Sequence, residues 1–458
     1  MATRKVLKIT PFLILINILV LLVIMCFYLF RMIKYYKIEN GSFHDESVIT
    51  LADAVKKKRS YLDDTQGLVL DEESGKYRYK GDVDDNYLYY SGLMYRIIEV
   101  DKDNNVRAIS EESVTLMYPG FDKGYNDSYI NKWLNLSDKE YSGIFEKTLY
   151  NTDKYLSNNY YCSNTVDDIE NIKCEETIDY KISLLSLYDY KQSGGKSSFI
   201  NNGKTFNLGT LDQNNNNYFI TEDGDIALQQ NHNRIVAIRP VITINGTNEL
   251  LKGNGKEDNP YIIEKHEINT LSDTYVGNII KIDEKNYKVV EVLDEKVKLV
   301  STDVIVDNDE PYKIKFGGSN NTYSTSNTVG KYLNNNFLNS LSIKDSVVKS
   351  EYYVGLLDLN NLDYSKLRST KVKANVAMLT MGEMFVNEIF DTFTILRGME
   401  DTSIIYVINE NGNFFGDSIT SKYCIRPAFY LKGDLEIISG EGTEDSPFEL
   451  GVNNNEEE

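Results

Sequence analysis

Histidine is almost absent: the 458 residues hold three, His44, His232 and His266, scattered far apart. General acid–base chemistry near neutral pH most often draws on this side chain, so it has little to work with here. No nucleophile elbow or other nucleophile motif makes up for the shortage. Positive charge is short too, with 49 Lys and Arg against 69 Asp and Glu and a formal net charge of −20. Nucleic-acid binding needs a basic face that releases counterions from phosphates, which excludes nucleic acid as a partner. The one dense basic run, Lys56, Lys57, Lys58 and Arg59, reads as a solvated face, with an anionic headgroup contact as the alternative.

Cysteine is also sparse, at four residues. Cys26 lies in an apolar run, Cys424 stands alone, and Cys162 and Cys174 flank a polar loop. Outside a membrane the last two could close a stabilising disulfide, or they could be unrelated thiols. No second Cys or His cluster completes a tetrahedral set, so no metal site is expected. No cofactor is expected either. Gly195-Lys196 and Gly203-Lys204 resemble phosphate-loop fragments, but Tyr190 and Ser198 stand where that loop needs its first glycine. Asp101, Asp103, Asn105 and Glu112 occupy calcium-loop positions, yet Val106 replaces the glycine of the sharp turn. A hairpin turn fits those residues better.

Long hydrophobic runs are missing with one exception, residues 11–30, PFLILINILVLLVIMCFYLF, in which Asn17 is the sole strongly polar member. At about 1.5 Å per residue this run spans the roughly 30 Å hydrocarbon core of a bilayer. Arg4, Lys5 and Lys8 precede it and Arg31, Lys34 and Lys37 follow, so flanking charge does not fix orientation. The short N-terminal tail is that of an uncleaved signal-anchor, with the bulk of the chain extracytoplasmic at the cell membrane. The expected partner of residues 11–30 is the lipid bilayer.

Over its whole length the chain is 41% hydrophobic and 12% aromatic, enough to build cores beyond that run. It also repeats itself. Residues 238–263 read IRPVITINGTNELLKGNGKEDNPYII and residues 425–450 read IRPAFYLKGDLEIISGEGTEDSPFEL. Ile238-Arg239-Pro240 falls on Ile425-Arg426-Pro427, and Gly253, Gly255, Glu257, Asp258 and Pro260 fall on Gly440, Gly442, Glu444, Asp445 and Pro447. In the same order YRIIEV (95–100) parallels YKVVEV (287–292), WLN (133–135) parallels YLN (332–334), LLS (184–186) parallels MLT (378–380), and YFITEDG (218–224) parallels YVINENG (406–412). Two copies of one unit follow. LMYRIIEVDKDNNVRAIS and NYKVVEVLDEKVKLVS each predict a strand pair, whereas Tyr129, Trp133 and Leu136 share one helical face behind an Asp127 or Ser128 cap.

These repeated motifs resemble a domain of unknown function in surface proteins of low-GC Gram-positive bacteria, itself similar to the C-type-lectin-like and formylglycine-generating-enzyme fold. The resemblance implies an α+β class: one N-terminal transmembrane helix followed by two tandem lectin-like domains with short antiparallel strands and long loops. Expected boundaries are a signal-anchor over 1–37, a stalk or lead-in over 38–80, repeat 1 over 81–264, a linker over 265–274, repeat 2 over 275–450 and an acidic tail over 451–458. The related enzyme's close cysteine pair has no match here, since Cys424 has no neighbour. Trp133 as a stacking platform and the repeated Arg239 and Arg426 are the ligand-binding candidates. A core role for Trp133 and a buried structural bond for each arginine stand beside that reading. The expected function is a membrane-tethered binding or adhesion protein without catalysis, directed at a cell-wall glycan or envelope protein. The alternatives are a structural component of a cell-envelope complex and a hydrolase or oxidase.

Overall fold

Each half of the chain folds from a pair of strands joined by a two-residue reversal. Ser91-Gly92 (φ 52° and 78°) and Asp283-Glu284 (φ 51° and 59°) are left-handed at both central positions, the mirror-image turn whose twist suits antiparallel neighbours. Tyr87–Tyr90 thereby pairs with Leu93–Val100, and Ile279–Ile282 with Lys285–Leu293. The next strand, Asn105–Ser110 or Lys296–Ser301, pairs on the other side, followed by Pro240–Asn245 or Ala428–Lys432. Each arrangement grows into an eight-stranded sheet. A three-stranded meander accompanies each: Phe206–Leu211, Asn217–Ile220 and Ile226–Gln229 in the first copy, Thr392–Arg397, Ile404–Ile408 and Phe414–Ser418 in the second.

This computed structural model describes Met25 and residues 48–117, 120–121, 124–135, 144–162, 165–174, 177–229, 236–354, 370–380, 383–384, 391–397, 401–409 and 414–451. Apart from Met25 the expected signal-anchor, 1–37 with its core 11–30, lies outside the described residues, as do Cys26, His44, His232 and residues 452–458 of the expected tail. No helix among the described residues is long and apolar enough to cross a membrane.

The expected α+β class is corrected to a mostly β-sheet architecture, 39% strand and 15% helix. The reason is helix length. Tyr129–Asn135 has seven residues, and Leu51–Lys56 and Leu187–Gln192 have six each, so each makes about two turns. The periodicity around Trp133 is helical over Tyr129–Asn135, and Leu136, the third residue of the expected face, lies outside the described residues. β-branched and aromatic strands punctuated by Asn, Asp and Gly turns make up most of the remainder.

Repeated side chains now have structural reasons. In the WLN and YLN matches the asparagine clamps an edge strand: Asn135 donates to the Ile182 carbonyl (2.7 Å) and accepts from the Ile182 N–H (2.9 Å). Asn334 does the same to Val376 at 2.8 and 3.1 Å. The repeated glycine turn is equally literal, because a Cβ on Gly253 (φ 101°) would stand 1.8 Å from the Pro260 carbonyl oxygen, and one on Gly440 (φ 94°) 2.1 Å from that of Pro447.

Residues 48–80, expected within a stalk or lead-in, fold onto the first copy. Thr50-Leu51-Ala52-Asp53 and Thr270-Leu271-Ser272-Asp273 make the same capped turn, with Thr50 Oγ1 2.8 Å from Asp53 and Thr270 Oγ1 2.9 Å from Asp273. Each threonine bridges a matching edge, Thr50 to Glu249 and Thr270 to Glu436. Each copy therefore begins at this threonine. Between its capped turn and Tyr87–Tyr90, the first copy carries a hairpin, Gly67–Asp71 and Lys76–Lys80, that joins the sheet and has no counterpart between Asp273 and Ile279 in the second.

The expected linker is ordered at the joint. Glu264 accepts from the Ser91 N–H (2.8 Å) and bonds the Tyr275 hydroxyl, while the His266 ring sits between Tyr150 and Tyr275 at 4.4 and 4.9 Å.

Candidate functional site

A β-bulge interrupts the same strand in both copies, between Ile97 and Glu99 and between Val289 and Glu291. Bulges re-aim side chains and recur beside functional sites. Here each bulge precedes a glutamate that faces a basic residue on the neighbouring strand: Glu99 opposite Arg107, and Glu291 opposite Lys298. A second acid reaches the same place from a capping turn. Ser186 caps Leu187–Gln192 by accepting the Asp189 N–H (3.0 Å) and donating to the Asp189 carboxylate (2.8 Å). Thr380 and Glu383 repeat that exchange, at 3.3 Å from the Glu383 N–H to Thr380 Oγ1 and 2.9 Å from the Thr380 N–H to Glu383 Oε2.

In the first copy the constellation is closed. Arg107 reaches Glu99 (3.1 Å) and Asp189 (3.1 Å), and Arg78, from the inserted hairpin, contacts Glu99 and Asp189, the latter at 3.0 Å. Arg78 arrives as a strand residue directly opposite Glu99. Two carboxylates meet two guanidiniums in a place from which water is nearly excluded. Burial penalises the Asp189 carboxylate, but Arg107 and Arg78 outweigh that penalty and hold it well below the usual carboxylate range. Burial likewise opposes the charge of Arg78, and Glu99 and Asp189 overcome it, raising its pKa. Tyr160 covers the cluster, its ring 4.3 Å from the Arg107 guanidinium and 4.1 Å from Lys76. Outside lies a cleft of about 820 Å³ lined by Asp71, Lys76, Arg78, Tyr160 and Tyr188.

In the second copy the corresponding constellation lacks the cation that Arg78 supplies. Lys298, itself buried, bonds Glu383 at 2.6 Å, and Glu291 accepts from the Tyr430 hydroxyl at 2.5 Å. Among the described residues no cation lies within 4.0 Å of the Glu291 carboxylate. Burial raises the Glu291 pKa; Lys298 pulls it back, Glu383 pushes it further up, and the net shift is upward. Lys147, from the turn Phe145–Thr148 of the first copy, adds the weakest pull. Beside these groups a cleft of about 210 Å³ opens, lined by Glu291, Lys298, Tyr352, Glu383 and Tyr430, with Lys296 and Lys371 also in its wall. The mixture of acids, a lysine and phenols suits the recognition of a charged polar group.

The residues singled out from sequence lie elsewhere. Trp133 is wholly buried, 5.6 Å from Phe145 between ring centroids, so it offers no face for stacking a sugar. Arg239 is buried and turned to backbone, donating to the carbonyls of Ser110 (2.8 Å) and Ile200 (2.6 Å), with burial pulling its pKa down to about 10. Arg426, half-buried, donates to the Thr302 carbonyl. Neither arginine lines either charged cleft. No group of three or more His, Cys, Asp or Glu among the described residues could hold a metal. Cys162 and Cys174 are bridged, with their Cα atoms 5.1 Å apart and a sequence separation of 12, and Cys424 is a buried free thiol. Cys174 lies in the wall of the larger cleft. Closing a loop of that length is worth about 2–4 kcal/mol, so Cys174→Ser is expected to lower the unfolding free energy by that amount, as read by urea titration with and without reductant.

Sequence reasoning missed the charge cluster although its parts sit inside the repeated motifs. Glu99 and Glu291 are the glutamates of YRIIEV and YKVVEV, and Asp189 and Glu383 stand three residues after Ser186 and Thr380. The signal was an acid in an otherwise apolar strand, together with a serine or threonine followed three residues later by an acid, in both copies.

No known protein family, curated protein or solved structure matches the chain.

Proposed function

We propose that this is a membrane-tethered extracytoplasmic binding protein whose two copies divide the work: the first is completed by its own hairpin, and the second carries the recognition site. One observation supports the reading above the others. The same acid–base constellation is filled by Arg78 in the first copy and opens to a cleft at Glu291 and Glu383 in the second. A duplicated unit that satisfies its polar interior in one copy and leaves the equivalent place accessible in the other has kept a cost that binding can offset. The apolar run 11–30 supplies the tether, and the bilayer is its partner. A cell-wall glycan or an envelope protein is the class of target.

The test uses the full chain in detergent or nanodiscs, arrayed against cell-wall glycans and envelope proteins, with protease treatment of intact cells alongside. The reading expects a retained partner whose capture weakens in Glu383→Gln, and external digestion of the region after residue 37. Silence against every partner at high concentration, or recovery of the full chain from a detergent-free soluble fraction, contradicts it.

A further inference from the structure

The first copy shows in atomic detail what fills this constellation. The strand Lys76–Lys80 lies antiparallel to Leu93–Val100, with Tyr77 opposite Val100 and Arg78 opposite Glu99. It uses the half of that strand that Tyr87–Tyr90 leaves uncovered, since the Tyr87–Tyr90 pairing ends at Arg96. In the second copy Ile279–Ile282 covers the corresponding half, Lys285–Lys288, and no described strand pairs with Glu291–Leu293 on that side. An open strand edge is a template for an added strand. Leu293, at the end of that edge, is 41% exposed.

Resting on the reading that the second copy is the recognition module, we propose that its ligand is an extended, arginine-bearing peptide segment. This segment adds antiparallel to the Glu291–Leu293 edge and places its guanidinium between Glu291 and Glu383, as Lys76–Lys80 does with Arg78 in the first copy.

Three features favour this occupant. The cleft, about 210 Å³, is smaller than the roughly 300–1,000 Å³ of sites for free small molecules and suits one inserted side chain. Its wall brings half-buried Glu291 and buried Glu383 together beside the buried Lys298, and the planar fork of a guanidinium can engage two carboxylates at once, as Arg78 does. Tyr352 and Tyr430, whose rings lie 5.2 and 5.5 Å from the Lys298 ammonium, provide aromatic walls like Tyr160 in the first copy.

The probe is a synthetic nonapeptide of this chain's own residues 74–82, SGKYRYKGD, titrated calorimetrically into the full chain in nanodiscs. Its tethered original already occupies the first copy at high effective concentration, so one peptide per chain is expected, bound at the second copy. Replacing the peptide's arginine by citrulline keeps the shape and removes the charge, and should weaken binding about thirtyfold or more. Glu291→Gln should weaken the arginine peptide similarly and leave the citrulline peptide nearly unchanged. Equal affinity of the two peptides for the native chain, or indifference of the arginine peptide to Glu291→Gln, overturns the proposal, and the citrulline comparison needs no altered protein to fold. A chain that captures a glycan or an envelope protein in the array yet ignores both peptides contradicts this ligand class while leaving the binding function standing.

Discussion

Replacing Asp189 by alanine is expected to cost the first copy about 3–5 kcal/mol, because it strips one acid from a buried set of two acids and two guanidiniums. Arg107 and Arg78 would be left with Glu99 alone. Neither can shed its proton, so the surplus charge stays in a place almost closed to water. The same change leaves the Ser186 hydroxyl without its carboxylate partner at the start of Leu187–Gln192. Asp189→Asn keeps the shape and loses the charge, so it should fall between alanine and the native chain. Urea unfolding followed by the near-ultraviolet signal of Trp133, the single tryptophan and a first-copy residue, reads the effect directly. A loss under about 1 kcal/mol for Asp189→Ala would place the cluster among exposed ion pairs, which contribute little.

Trp133→Ala is expected to be as damaging, at about 3–5 kcal/mol, for a different reason. The indole is wholly buried, so its removal loses a large apolar contact and opens a cavity. Its counterpart in the second copy, Tyr332, is half-buried and stacked on Tyr312 at 4.8 Å, so Tyr332→Ala should cost much less. Trp133→Phe should recover most of the loss, since it keeps a ring against Phe145 and discards an indole N–H that has no hydrogen-bond partner among the described residues. Thermal unfolding of the three variants gives the ranking. A stable Trp133→Ala chain that had lost ligand capture alone would restore this residue to a binding surface and contradict the core assignment.

The duplication was the most legible feature in the sequence. Its strands, its glycine turns and its paired arginines at 239 and 426 could be read from matching letters, because backbone geometry and buried contacts restrict residue choice at those positions. The start of each copy was not legible. Thr-Leu-Ala-Asp and Thr-Leu-Ser-Asp at 50–53 and 270–273 fall out of step with the rest of the repeat, since the hairpin Gly67–Lys80 intervenes in the first copy alone. That hairpin therefore looked like a stalk. The balance of helix and strand was misjudged because Tyr129 and Trp133 do share a helical face, while one periodic segment says nothing of how much of the chain is strand. The site was hidden for a third reason. Glu99, Arg107 and Asp189 are ordinary charged letters until a bulge and a capping turn aim them at one point.

Acid should separate the two copies. The folded-state pKa of Asp189 lies below its ordinary value of 3.8, so its contribution to stability is complete above that value and is lost as pH falls through the depressed midpoint. Glu291 has the opposite sign. Its folded pKa is raised above 4.5, so its contribution is complete below that value and is lost as pH rises through the raised midpoint, where a carboxylate forms that Lys298 and the Tyr430 hydroxyl only partly compensate. A bound guanidinium would supply the missing compensation, and arginine-peptide affinity should accordingly grow over that same rise.

Carboxyl-selective NMR titration of the full chain in nanodiscs, with Glu291 and Asp189 assigned through Glu291→Gln and Asp189→Asn, addresses the central asymmetry directly. Glu291 should titrate above 4.5 in the free chain and fall toward or below that value when the arginine peptide is bound, while Asp189 stays below 3.8 in both states. Depressed midpoints for both acids in the free chain would mean that the second copy already holds its cation, contradicting the claim that one copy is filled and the other is open.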